Sequence, residues 1–141
     1  MSAKSFLDTN IFVYQLERLD ARKADIADAL ILDGIDSQTA CISFQVIQEC
    51  LNTAIRKAEV PLTEDEMRTY MRDVLAPLYR VQPSIGLYQK SLDILSRYRF
   101  SFYDALIAAA ALEAGCETLY TEDLAHGQDI DGVTIINPFR T

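Results

Sequence analysis

The stretch Lys4-Ser5-Phe6-Leu7-Asp8-Thr9-Asn10-Ile11-Phe12-Val13-Tyr14 decides the fold. A short apolar run ends in a carboxylate, Asp8, and passes without a break into helical spacing. A strand in that place, in a chain that afterwards alternates helical and strand-like segments, is most simply the central strand of a parallel sheet. In open α/β sheets the chemistry gathers at the carboxyl ends of the strands, and Asp8 stands at that end. Asp, Thr and Asn are also favoured at helix starts, so capping the helix that begins near Asn10 is the plainer role for all three.

Working outward, helical spacing covers Ile11–Arg18 and Ala21–Leu32, the second run closed by Asp33-Gly34. Gln38–Ile42 reads as a short buried strand, with Ser43 as the N-cap of a helix over Phe44–Ala58 that stops before Val60-Pro61. Thr63 and Glu66 form a capping box for a helix running to about Ala76, before Pro77. Leu78–Val81 is a third strand, and Ser84 caps a helix over Ile85–Tyr98. Ser101 opens a helix over Phe102–Ala114, apolar nearly all round and therefore buried, with Gly115 at its left-handed end. Cys116–Thr121 is a fourth strand, Glu122-Asp123 a turn, and Val133–Ile136 the last strand. Strands separated by helices or helix pairs call for a three-layer α/β/α sandwich around a mostly parallel sheet.

With 141 residues, half of them hydrophobic, the chain is expected to form a single domain over 1–141 with one core. No apolar run is long enough for a membrane helix, and the first residues lack the charged and apolar regions of a secretory signal, so a cytoplasmic location is expected and no membrane partner. Cys41, Cys50 and Cys116 are odd in number and set in apolar sequence, as reduced buried thiols would be. The net charge of -8 argues against gripping nucleic acid by broad phosphate neutralisation. That charge is unevenly spread: residues 1–55 carry 4 basic and 8 acidic side chains, residues 56–100 carry 8 and 6, and residues 101–141 carry 1 and 7. If acids from the two ends converge, their mutual repulsion makes a place for a divalent cation.

Four carboxylates stand where the sandwich would aim them at one cleft: Asp8 after the first strand, Glu49 in the helix after the second, Asp104 in the first turn of the buried helix and Asp123 after the fourth strand. Each has a plain structural role as well. Asp104, three residues after Ser101, fits a capping pair at a helix N-terminus. Asp123 fits an ordinary polar turn. Glu49 falls opposite the apolar stripe Phe44, Ile47, Leu51, Ala54, Ile55 and Ala58, so periodicity alone leaves it in solvent.

The segments Leu7-Asp8-Thr9-Asn10-Ile11-Phe12, Ile42-Ser43-Phe44-Gln45-Val46-Ile47-Gln48-Glu49, Phe102-Tyr103-Asp104-Ala105-Leu106-Ile107-Ala108-Ala109-Ala110 and Leu119-Tyr120-Thr121-Glu122-Asp123-Leu124 resemble, in order, the four acidic motifs of PIN-domain proteins. The likeness extends over essentially the whole chain, to the closing Val133–Phe139. Its largest bacterial group is the VapC-type toxins, metal-dependent ribonucleases paired with an antitoxin. The resemblance implies catalytic and metal-binding roles for Asp8, Glu49, Asp104 and Asp123, support from Thr9, Asn10 and Thr121, and Mg²⁺ or Mn²⁺ as cofactor. It also implies an RNA substrate, a cognate antitoxin and a homodimer. An RNA-processing nuclease without an antitoxin, or an idle PIN scaffold that only binds RNA or protein, are the alternatives.

Two departures stand out. Many family members carry a fifth acid soon after the fourth motif, whereas here Leu124-Ala125-His126-Gly127-Gln128 intervenes before Asp129 and Asp131. His126 reads as a loop residue. Two rival classes are set aside by pattern: an aspartyl-nucleophile phosphatase wants a second Asp where Asn10 stands, and a phosphoacceptor receiver wants adjacent acids after its first strand. The basic middle, Arg56, Lys57, Arg68, Arg72, Arg80, Lys90, Arg97 and Arg99, reads first as solvated helix faces with ion pairs. Within it, Arg97-Tyr98-Arg99-Phe100-Ser101-Phe102-Tyr103 is the best candidate for substrate contact, since arginines hold phosphate and aromatics stack bases.

Overall fold

The computed structural model describes residues 3–56 and 62–141. The first strand, β1 (Ser5–Leu7), pairs in parallel with β2 (Ala40–Ser43) on one side and with β4 (Thr118–Tyr120) on the other. Beyond β2 the parallel sheet continues into β3 (Tyr79–Val81), and beyond β4 into β6 (Val133–Ile136). A short edge strand, β5 (Asp129–Ile130), runs antiparallel to β6, so the order is β3-β2-β1-β4-β6-β5. The strand that carries Asp8 is therefore central, and the fold is the expected mostly parallel sheet flanked by helices.

Two helices follow β1 and two follow β3. α1 (Thr9–Glu17) packs on α2 (Ala21–Ser37) and on α3 (Phe44–Arg56), which follows β2. α6 (Ile85–Tyr98) lies against α7 (Phe102–Glu113), and α7 in turn touches β2 and β4. Seven successive residues of α7, Ala105 to Ala111, are buried, because a small-residue helix can approach both neighbours closely. Ser84 and Ser101 cap these two helices by accepting the N–H of Leu87 and Asp104, at 3.1 and 3.2 Å. Gly115 takes the left-handed conformation (φ 73°) just past α7. All three cysteines are buried and free, with the sulfurs of Cys41 and Cys116 3.6 Å apart.

Several boundaries differ from the sequence reading. α2 does not stop at Asp33-Gly34 but runs to Ser37, with Gln38 as its left-handed cap. Gly34 is there for space: a Cβ built on it would lie 2.5 Å from the Cβ of Ala40 in β2. Ser43 is the last residue of β2 rather than a cap, and its buried hydroxyl has no partner among the described residues. The Thr63 capping box is present in both directions, opening α4 (Glu64–Tyr70). That helix does not end before Pro77; it widens into a π-helical turn, Met71–Leu75, and resumes as α5 (Ala76–Leu78). In the π register the Ala76 N–H reaches back to the Met71 carbonyl, so the missing N–H of Pro77 breaks no regular i to i−4 ladder. The expected helix end at Lys57-Ala58 and the Val60-Pro61 stop lie outside the described residues. β5 went unread in the sequence; Asp131 (φ 50°) and Gly132 (φ 102°) make the Asp-Gly hairpin turn that forms it.

The close approach at Gly34 gives a direct test. In an open helix, Gly→Ala stabilises by about 1 kcal/mol, but Gly34→Ala drives two methyl groups together. Urea unfolding is expected to show a loss of about 1–3 kcal/mol, partly recovered in the Gly34→Ala/Ala40→Gly double variant. A stabilised Gly34→Ala protein would contradict the packing described.

Candidate active site at the carboxyl edge of β1 and β4

Asp8 leaves the end of β1 and caps α1. Its backbone N–H still pairs with the Tyr120 carbonyl (3.0 Å), while its side chain accepts the Thr9 N–H (2.6 Å). The sheet register sets Leu7 beside Tyr120, so the residue that follows β4, Thr121, falls alongside Asp8. The Thr121 hydroxyl donates to the other carboxylate oxygen of Asp8 at 2.8 Å and accepts the Asp123 N–H at 3.0 Å. Asp8 is 6 % exposed and Thr121 fully buried.

Glu49 and Asp123 each reach this centre through a residue of α1. The Thr9 hydroxyl donates to Glu49 at 2.9 Å, and the Asn10 amide nitrogen donates to Asp123 at 3.0 Å and to Thr121 Oγ1 at 3.3 Å. Glu49 is on the solvent side of α3, as the helical wheel implies. The wheel nevertheless misplaces the buried face, which is Gln45, Val46 and Cys50 and borders Glu49. Leu51 and Ile55 of the expected stripe instead line a groove with Met67 and Met71.

Asp104 stands apart from this bonded set. It is half-buried in the first turn of α7, and its carboxylate has no hydrogen-bond or ion-pair partner among the described residues. One bond ties its turn to the rest: the Gln45 amide nitrogen donates to the Tyr103 carbonyl at 3.2 Å. Gln45 lies one helical turn before Glu49, so α3 links both acids.

Burial pushes the Asp8 carboxyl from its ordinary 3.8 up to about 7; the bonds from Thr121 and Thr9 pull it down, and the charges of Asp123 and Glu49 push it up again. Three buried polar atoms lack a partner among the described residues: Asn10 Oδ1, Ser43 Oγ and Gln45 Oε1. All three belong to residues at or just after the carboxyl end of β1 or β2, the edge at which Asp8 lies, and unsatisfied buried groups mark a place for water or an ion. Among the described residues, no three His, Cys, Asp or Glu side chains stand close enough together to hold a metal ion as they are. The donor set is nonetheless all oxygen and acid-rich, which suits a hard divalent cation by type and by charge.

The remaining candidates sit further out. Arg97 is forked onto Asp131, which also accepts from Tyr98 at 2.9 Å and Lys90 at 3.5 Å. Arg99 is the exposed left-handed cap of α6. Asp131 is thus committed to α6 and Asp129 to the Gly132 N–H (3.3 Å), so neither of the two acids after the fourth motif joins the site. His126 accepts the Asn137 N–H on Nδ1 at 3.0 Å and pins a loop to the end of β6. Arg68 pairs with Glu64 at 2.6 Å and Arg72 with Asp73 at 2.8 Å, the ion-paired helix faces that the basic middle suggests. Sequence reasoning missed Gln45, Tyr14, Lys23 and Glu122. Gln45 alone carries a signal, as a polar residue inside the apolar run Phe44-Gln45-Val46-Ile47.

A parallel α/β domain with acids at the carboxyl edge of its central strands is the class that fold and site define. Within that class the chain belongs to the PIN domain family, whose family model matches residues 5–128. Comparison with curated proteins returns no match. Among solved structures, the chain is similar to a toxin-antitoxin complex from Klebsiella pneumoniae, with 20% identity over 98% of this chain and 100% of that one and a TM-score of 0.67. It is similar also to VapBC2 from Rickettsia felis bound to a promoter DNA fragment, with 17% identity, coverage of 93% and 96%, and a TM-score of 0.66. A third is VapC20 of Mycobacterium tuberculosis, a Sarcin-Ricin loop cleaving toxin, with 20% identity, coverage of 85% and 90%, and a TM-score of 0.62. At these identities the likeness is one of fold.

The raised Asp8 pKa has a defined signature in metal-free protein. Folded Asp8 keeps a proton that the unfolded chain has released, so its contribution to stability falls as pH rises from about 4 to about 7 and is level outside that window. Asp8→Asn, compared with the parent by urea unfolding in a chelator, should gain on it across that window and level off above. A difference that is constant with pH would contradict the burial assigned to Asp8.

Proposed function

We propose that this protein is a divalent-cation-dependent ribonuclease that hydrolyses RNA phosphodiester bonds, and that it is the toxin of a type II toxin-antitoxin pair. The observation that supports the catalytic half best is the buried Asp8 carboxyl, bonded to Thr121 and raised first by burial and then by the charges of Asp123 and Glu49. Carboxylates held together against their repulsion recover that energy when a cation joins them. Asp8, Glu49 and Asp123 would hold Mg²⁺ or Mn²⁺, with Asp104 completing the set from the start of α7. When bound, such a cation supplies a water nucleophile at neutral pH and Lewis-acid stabilisation of the phosphoryl oxygens.

The other tasks fall to the chain itself. Thr9 and Asn10 aim Glu49 and Asp123, and Thr121 fixes the rotation of the Asp8 carboxylate. Tyr103, 66% exposed next to Asp104, offers a ring on which a base can stack. Arg99, exposed and four residues before Tyr103 in sequence, offers a basic side chain to a phosphate, and Arg97 does so only where it shares its guanidinium with Asp131.

The toxin assignment draws on the likeness to structures described as toxins and toxin-antitoxin complexes. It carries with it an antitoxin partner and a homodimer. No helix of the described residues is long and apolar enough to cross a membrane. An RNA-processing nuclease without an antitoxin is the second reading, favoured by a family match that is to PIN domains in general.

Purified protein is expected to cleave RNA in Mg²⁺ or Mn²⁺ and not in a chelator, with Asp8→Asn and Asp104→Asn each slower by about 10³-fold or more, as for loss of one member of a catalytic set. Variants that cut as fast as the parent would end the enzyme assignment. Growth that continues during expression of active enzyme would shift the assignment to RNA processing.

A further inference from the structure

Glu122 lies between two residues of the acidic site and turns away from both. Thr121 faces Asp8, and Asp123 faces Asn10. Glu122 instead accepts a short hydrogen bond from the Tyr14 hydroxyl, while Lys23 Nζ stands 3.2 Å from its other oxygen and 3.0 Å from the Tyr14 oxygen. Tyr14 follows Asn10 by four residues, so the two side chains leave one face of α1 a turn apart. That face grips consecutive loop residues, Asn10 holding Asp123 and Tyr14 holding Glu122.

The grip is well built for a loop. Lys23 comes from the first turn of α2 and lies 4.6 Å from the Tyr14 ring centre and 5.5 Å from that of Phe139. The Tyr14 and Phe139 rings meet edge-on at 4.8 Å, and Arg22 ties the Phe139 carbonyl to α2 at 2.9 Å. Lys23 and Glu122 are each only 24% exposed. Burial, and then the neighbouring Glu122, hold the Tyr14 hydroxyl above its usual range, so the phenol keeps its proton and remains the donor. Tyr14 of α1 and Lys23 of α2 thus meet on one loop residue, and that residue adds a negative charge next to acids that already repel one another. Lys23 cancels that charge; the hydrogen bond from Tyr14 sets a direction.

We propose that Glu122, held by Tyr14 and Lys23, is a positioning residue that turns Thr121 toward Asp8 and Asp123 toward Asn10 and so sets the affinity of the acidic site for a divalent cation. This rests on the cation-dependent reading above. Its action is through Thr121 and Asp123, with no contact of its own to cation or substrate.

The test is Mn²⁺ titration of the full chain followed by water-proton relaxation, alongside melting temperatures in a chelator. Glu122→Ala and Tyr14→Phe should each weaken Mn²⁺ binding about tenfold or more, as for other residues that orient metal ligands. Glu122→Gln can still accept from Tyr14 and should stay within about threefold of the parent. Tyr14→Phe removes a single hydroxyl and carries the test if Glu122→Ala fails to fold. Unchanged Mn²⁺ affinity in Tyr14→Phe, or a Glu122→Gln as weak as Glu122→Ala, would overturn the proposal while leaving the cation site standing. A parent protein that binds no Mn²⁺ would instead remove the cation-dependent reading, and this one with it.

Discussion

The hydrogen bond between Thr121 and Asp8 joins residues 113 positions apart and sits beneath everything else at the site. A carboxylate buried at the end of a strand costs several kcal/mol unless donors meet it. The two donors here, the Thr121 hydroxyl and the Thr9 N–H, are supplied by two different structural facts. One is that β4 pairs directly with β1 in the register Leu7 to Tyr120; the other is that α1 starts at once after β1. Parallel pairing of β1 with β4 requires the whole middle of the chain to be looped out and packed on the sheet. The helices and strands of that interval thus hold the two ends of the site together and also supply Thr9, Asn10, Glu49 and Asp104 to it.

From that bond outward, Glu49 and Asp123 are each presented by a neutral partner. Thr9 and Asn10, adjacent on α1, reach in different directions to Glu49 and Asp123. The result is a set of carboxylates coupled by charge but, among the described residues, not gathered into a cage, with Asn10 Oδ1, Ser43 Oγ and Gln45 Oε1 unsatisfied there. Such a set is under electrostatic tension in the metal-free protein. Under the proposed function, a divalent cation would relieve that tension and draw phosphate to an acidic protein of net charge -8.

How much was legible in the sequence depended on the range of the interaction. Features set by chemistry within four residues were readable: the Thr63–Glu66 box, the Ser84 and Ser101 caps, Gly115, and the apolar surface of α7. The central place of β1 was readable as well, since only a few topologies fit the order of elements. Gly34 was misread because a glycine that ends a helix and one that makes room for a neighbour look alike until the neighbour, Ala40, is known. β5 was overlooked because two residues carry no periodicity, although Asp131-Gly132 is a hairpin signal. Glu49 could be proposed only by resemblance: helical periodicity sent it to solvent, and its tie to Thr9 spans 40 residues. The Tyr14–Glu122–Lys23 grip left no trace in local pattern at all, being made of three side chains from three segments.

The central claim is that acids far apart in sequence form one cation site around Asp8. Crystals equilibrated with Mn²⁺ and measured at the manganese absorption edge test it without reference to activity or substrate. The account predicts an anomalous peak within about 2.5 Å of an Asp8 carboxylate oxygen, with Glu49, Asp123 or Asp104 in direct or water-mediated contact. Manganese bound only elsewhere on the surface, with the Asp8 carboxylate still bonded to Thr121 and Thr9 alone, would contradict it.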